Sequence, residues 1–137
     1  MENNFSKDFI IRIGEINYVG HMGYDRTLMI FHDARIAFFD SLGFSETDIG
    51  EEKGIIINEA FIKFKKEVFL NDVLKVFISI SDIKDTSFIM NYSVFRTEDE
   101  SEVFKGYTKI YAFNYKDKAI ARIPKDFLEK IKHYEAK

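Results

Sequence analysis

Among its 137 residues the sequence has no cysteine, no tryptophan and a single proline. Without cysteine there is no disulfide, no thiolate metal site and no cysteine nucleophile; the composition fits a reducing compartment, so a cytoplasmic location is expected. The lone proline is Pro124, and the seven glycines sit mainly at apparent element ends, which leaves no linker and predicts one domain over residues 1–137. No apolar run approaches the roughly 20 residues needed to span a bilayer, and residues 1–8 hold no apolar signal core, so no membrane partner is expected. The net charge of −3 supplies no global positive field for nucleic acid. Three scattered histidines without a His-x-x-x-His pair form no zinc set. There is no phosphate-cradling glycine loop and no nucleophile elbow. No metal and no cofactor is therefore expected.

What is abundant is aromatic: 15 Phe and 7 Tyr within a 46% apolar chain. A chain of this length buries roughly 68% of its unfolded surface, enough for one real core, and that core should be rich in Phe. Phe9 to Ile13 reads as a short strand ending at Gly14, and Glu15 to Tyr24 as a loop containing Gly20 and Gly23. Asp25 can cap the helix that follows, Arg26 to Leu42, with Gly43 as its C′ residue. The apolar arc of that helix is wider than a surface helix needs, so other structure should wrap it. Ser45-Glu46-Thr47-Asp48 resembles a capping box opening a short helical turn ended by Gly50.

From Gly54 the period changes to two. Ile55–Phe69, Val73–Ile83, Phe88–Arg96 and Val103–Tyr115 read as strands, with Leu74, Val76, Ile78 and Ile80 on one face of the second. Short links such as Leu70-Asn71-Asp72 predict an antiparallel meander, and Pro124 opens an end helix to about His133. Strand, long helix, four strands and end helix form an α+β pattern: a curled antiparallel sheet of about five strands around one buried helix.

Reactive groups concentrate between Glu15 and Arg35. There a glycine-containing loop delivers the chain into the first turn of the buried helix. The free amides of such a turn carry partial positive charge, so Gly23, Tyr24 and Asp25 can present donors to a carbonyl and stabilise an oxyanion formed from it. The stretch Glu15-Ile16-Asn17-Tyr18-Val19-Gly20-His21-Met22-Gly23-Tyr24, then His32-Asp33-Ala34-Arg35 and Phe38-Phe39-Asp40-Ser41-Leu42-Gly43, resembles the hotdog-fold acyl-CoA thioesterases, in the branch of 4-hydroxybenzoyl-CoA thioesterase. That branch typically shows Asp-x-Asp-x-x-Gly-His-x-x-Asn before the helix and Glu-Ala-Arg within it. Lys65 to Leu74 resembles the strand-turn-strand of the same family.

The resemblance implies a hotdog fold, a thioester substrate carried by coenzyme A or an acyl-carrier protein, and a homodimer or homotetramer with sites between subunits. It places Asn17, His21 and Asp33 in catalytic roles, with Gly23, Tyr24 and Asp25 binding substrate. Asp33 would act as general base on water from the neighbouring subunit, and the acyl chain would lie along the Phe-rich side of the helix. The family's second aspartate aligns with Asn17, which cannot accept a proton as a base but can hold a carbonyl or a water. A non-hydrolytic acyl-CoA or acyl-carrier binding module is therefore the alternative.

Plainer roles stand beside these. Asn17 can shape the loop, His21 can pin it to a carbonyl, Asp33 can pair with a cation, and Asp25 can serve only as a cap. Lys63, Lys65 and Lys66 suit phosphate but also protect strand ends. Tyr107, Tyr111, Phe113 and Tyr115 can pack on a partner or on the end helix.

Overall fold

The structure is a computed structural model and describes residues 5–17, 20 and 22–136. Strand β1 spans Phe5–Ile10, helix α1 Thr27–Ser41, β2 Gly54–Phe64, β3 Val73–Ser81, β4 Ser87–Arg96, β5 Ser101–Asn114, β6 Ala119–Ile120 and α2 Lys125–Lys132; single 3-10 turns occupy Ile13–Glu15 and Tyr24–Arg26. The strands form one antiparallel sheet in the order β1-β3-β4-β5-β2, with β6 a short extension beside β5. The sheet curls around α1, and α2 closes one end: the hotdog arrangement that the sequence resemblance implies.

Periodicity explains the layers. Leu74, Val76, Ile78 and Ile80 of β3, Phe88, Met90, Tyr92 and Val94 of β4, and Ile110 and Ala112 of β5 all point inward and are buried. Helix α1 lays Ile30, Phe31, Ala34, Phe38 and Phe39 against them at helical spacing. Each Phe buried in this way contributes on the order of 1.5–3 kcal/mol. The Phe31 ring stacks on Tyr92 with centroids 4.1 Å apart. Gly106 makes room, since a Cβ there would lie 2.0 Å from the Phe61 carbonyl oxygen and 3.0 Å from the Phe31 ring. Phe127 of α2 meets Phe39 and Phe44 edge-on, at 5.4 and 5.2 Å. Helix α1 ends as read: Gly43 takes φ +85°, while the Phe44 and Gly43 amides donate to the Phe39 and Asp40 carbonyls at 2.9 and 3.0 Å.

Five expectations change. β1 lies four residues earlier than Phe9–Ile13, because Phe5, Lys7 and Phe9 alternate in register with β3, and the chain leaves the sheet at the buried Ile11. Asp25 is not the cap of α1; it lies inside the 3-10 turn that Gly23 opens, and α1 starts from Arg26 without a side-chain cap. Ser45–Asp48 forms no helical turn but a tight reversal, Ser45 and Asp48 exchanging backbone bonds at 3.1 Å. β2 stops at Phe64, where the Lys65 and Lys66 amides both turn to the Val103 carbonyl, at 2.9 and 3.0 Å. The meander holds only for β3, β4 and β5. β1 already occupies the other edge of β3, so β2 pairs with β5 at the far side, and Leu70-Asn71-Asp72 carries a crossover tied to Ile11.

The wrapping of α1 is one-sided. Leu28, Met29 and Ile36 lie on its outer stripe and are about half exposed, at 49%, 53% and 50%.

Candidate active site

The loop before α1 is closed at its base. Ile16 and Met22 form an isolated antiparallel bridge, and the Met22 amide donates to the Val68 carbonyl at 2.7 Å. This fixes the approach to α1 against the chain that follows β2. Gly23 has extended backbone, and a Cβ there would lie 2.5 Å from Asp25 Oδ1 and 4.0 Å from the Asn17 Cβ. Asn17, Gly23 and Asp25 therefore converge where the chain enters the helix. Two details differ from the sequence reading. The Gly23 amide donates to the Glu15 carbonyl at 3.0 Å, so it is not free to receive a substrate oxygen. The Glu15 carboxylate accepts from the Arg12 amide at 2.7 Å, holding its own turn together. His21 lies outside the described residues.

Beside this entry lies a cleft of about 510 Å³. Met22, Phe64, Val68 and Phe104 give it apolar walls, and Lys65, Lys66, Glu67 and Arg96 a charged rim. The exposed Tyr24 ring stacks on Phe64 with centroids 4.0 Å apart. The rim's cations are largely neutralised: Lys65 pairs with Glu102, and Arg96 with Asp72 at 3.0 Å. The expected acyl path along the Phe-rich side of α1 is closed, because Phe31, Phe38 and Phe39 are fully buried in the core.

Asp33 stands apart from the entry. Its Oδ2 accepts from Lys7 Nζ of β1 at 2.6 Å, and its side chain is 37% exposed. Six residues of helix beyond Thr27 place it about 9 Å further along the axis. Within one chain it cannot reach a carbonyl bound at the start of the same helix.

On the opposite flank of α1 runs a chain of polar groups that the sequence reading missed. His32 Nε2 lies 2.7 Å from Glu46 Oε1, and Arg35 Nε donates to Glu46 Oε2 at 2.6 Å. Arg35 also donates to the Tyr92 hydroxyl at 3.0 Å, which in turn lies 2.9 Å from Thr108 Oγ1. Burial works against the Arg35 charge, but Tyr92 and Glu46 outweigh it and hold its pKa above the ordinary value. Burial pushes the Tyr92 phenol up, so it stays neutral. The signal was present in the sequence: Arg35 sits four residues after Phe31 and three before Phe38 on the apolar stripe, and an arginine buried there requires a carboxylate.

Among the described residues no three His, Asp or Glu side chains gather as a metal site, and no helix is long and apolar enough to cross a membrane.

Residues 11–131 match the model of the thioesterase-like superfamily. A protein of Aquifex aeolicus (strain VF5) named "Putative esterase" is 32% identical over 117 residues, covering 83% of this chain and 84% of that protein. Among solved structures, a 1,4-dihydroxy-2-naphthoyl-CoA thioesterase from Synechocystis superposes with a TM-score of 0.85 at 18% identity, covering 93% of this chain and 95% of that one. A Staphylococcus aureus protein solved in complex with CoA gives 0.88 at 20% identity, over 98% of this chain and 87% of that one. With the family model spanning nearly the whole fold, the chain belongs to the thioesterase-like superfamily, and its class of chemistry is thioester hydrolysis.

Proposed function

We propose that the protein is an acyl-CoA thioesterase working as a homodimer, of the kind represented by 4-hydroxybenzoyl-CoA thioesterase. The observation that carries this reading is the entry to α1, where Asn17, Tyr24 and Asp25 stand beside a cleft walled by Met22, Phe64, Val68 and Phe104. The thioester carbonyl lies on the Tyr24 and Asp25 amides at the positive end of α1, where a developing oxyanion is stabilised. With the Gly23 amide occupied, Gly23 contributes by having no side chain, which keeps Asn17 and Asp25 close. Asn17 and His21 position the carbonyl and the water. The acyl group enters the cleft beside Tyr24.

Asp33 deprotonates water from the second copy, since its own helix sets it about 9 Å along the axis from the entry. The dimer forms along β2. Among the described residues this strand pairs with β5 alone, runs eleven residues, and carries Ile57 exposed at 36%. A long apolar open edge of this kind is a template for another strand. A related Synechocystis protein is named for a naphthoyl-CoA substrate, and a Staphylococcus aureus relative was solved with CoA, which supports coenzyme A as the carrier.

Release of free thiol from a panel of acyl-CoAs tests the reading. Turnover should fall about 10²–10⁴-fold in Asp33→Asn and only weaken in Asn17→Ala. The amide at Asn17, where the family holds an acid, favours a second reading: a binding module that keeps the pocket without hydrolysis. Tight acyl-CoA binding with no thiol release would establish that instead.

A further inference from the structure

We propose that the outer face of the sheet carries a phosphate-binding site at Lys63 and Lys105, which takes the phosphorylated adenosine end of the coenzyme A substrate. The inference rests on the acyl-CoA reading above and extends it to the outer face of the sheet, beside the β2 edge.

Lys63 of β2 and Lys105 of β5 stand directly opposite one another in the strand register, and both are exposed. Side chains so placed have Cβ atoms about 4.5–5.5 Å apart, and like charges in that position repel. Two other lysines at strand positions have counter-charges: Lys7 pairs with Asp33, and Lys75 with Asp8. Neither Lys63 nor Lys105 has an ion pair or side-chain hydrogen bond among the described residues. An anion between the two ammonium groups converts the repulsion into a pair of charge-assisted hydrogen bonds.

The next cross-strand pair on the same face is aromatic. Phe61 and Tyr107 stack with centroids 5.7 Å apart and planes 22° from parallel. The Tyr107 hydroxyl donates to Glu59 Oε1 at 2.7 Å, which fixes the ring and engages the neighbouring carboxylate. That contact also raises the Tyr107 pKa, so the phenol stays neutral. Two unpaired cations beside an exposed ring pair suit a phosphorylated purine, whose base stacks while its phosphates take the lysines. An acidic carrier protein would use the charge but not the rings.

The site also lies within reach of the cleft. Phe64, on which Tyr24 stacks, is the residue after Lys63 and points to the other side of the sheet. β2 ends there, and Lys65 and Lys66 form the cleft rim, so the pantetheine arm passes over the end of the strand rather than through the sheet.

The test uses the full chain and the double variant Lys63→Glu with Lys105→Glu, both at exposed positions, with its fold checked by circular dichroism and its assembly by sedimentation equilibrium. Calorimetry with adenosine 3′,5′-bisphosphate reads the site without turnover. The native protein should bind it in a salt-sensitive manner, and the variant at least about tenfold more weakly. KM for an acyl-CoA should rise by a similar factor with kcat unchanged, while the same acyl group on pantetheine alone should be hydrolysed equally by both proteins. Equal nucleotide affinity in the two proteins overturns the site, as does an equal KM rise for both substrates. A KM change confined to acyl-carrier protein overturns the nucleotide assignment. If neither thioester is cleaved, the thioesterase reading fails while the calorimetry still decides the site.

Discussion

The two edges of the sheet are finished differently. β1 is six residues long, turns Ser6 and Asp8 outward, and is tied across to α1 by Lys7 and Asp33 and to β3 by Asp8 and Lys75. β2 is eleven residues long and leaves Ile57 and Phe61 in the open. A short, charged strand ends a sheet, whereas a long apolar one invites continuation. Helix α1 repeats the contrast on its flanks. Toward β1 its ion pair, Asp33–Lys7, is more than a third exposed on both sides; toward β2 its pair, Arg35–Glu46, reaches into the core through Tyr92. Glu46 also holds the start of β2, because its carbonyl accepts from the Ile55 amide at 2.9 Å. One edge is closed by solvated charges, and the other is braced from within and leaves its long strand open.

The largest expected effect comes from breaking the brace. Glu46→Ala leaves the Arg35 charge nearly buried and uncompensated and should cost about 3 kcal/mol in urea unfolding. Next is the open edge. Ile57→Lys places a charge where the second copy should pack and should weaken the dimer by about 2 kcal/mol in sedimentation equilibrium, with turnover falling in parallel.

A smaller effect is tied to pH. Because the folded phenol of Tyr92 titrates above the ordinary value of 10.0, the fold binds that proton more tightly than the unfolded chain does. Its contribution is complete below pH 10 and is lost as pH rises toward the folded value. Tyr92→Phe should remove that alkaline slope and cost about 1 kcal/mol at neutral pH through the lost hydrogen bonds. The smallest effect belongs to the closed edge, where Lys7→Ala should change stability by less than about 1 kcal/mol, since its partner pair is solvated.

Much of this architecture is legible in the sequence because the alternation of Leu74, Val76, Ile78 and Ile80, and the spacing of Ile30, Phe31, Ala34 and Phe38, each fit one element type only. Gly43 and Pro124 marked their helix ends for local reasons. What escaped depends on long-range choice. Nothing local to Leu70-Asn71-Asp72 says that β1 has claimed the edge of β3, so a crossover looks like a hairpin link. The Glu46 side chain looks like part of a capping box until Arg35, eleven residues away, is known to be buried and in need of it. At the site, the convergence of Asn17, Gly23 and Asp25 was readable from their proximity in the chain. The commitment of the Gly23 amide to Glu15 was not, because it depends on how the loop closes upon itself.

The central claim is that each site joins the helix entry of one copy to Asp33 of the other. Mixing the Asp33→Asn and Asn17→Asp variants would confuse hydrolysis with repair, so the decisive measurement mixes Asp33→Asn with a copy whose entry is blocked by Gly23→Val, and follows thiol release. Each protein alone should be nearly inactive, and the equilibrated mixture should recover roughly a quarter of native turnover, since half the dimers then carry one intact site of two. A mixture no more active than its components, from copies that do exchange, would contradict the account.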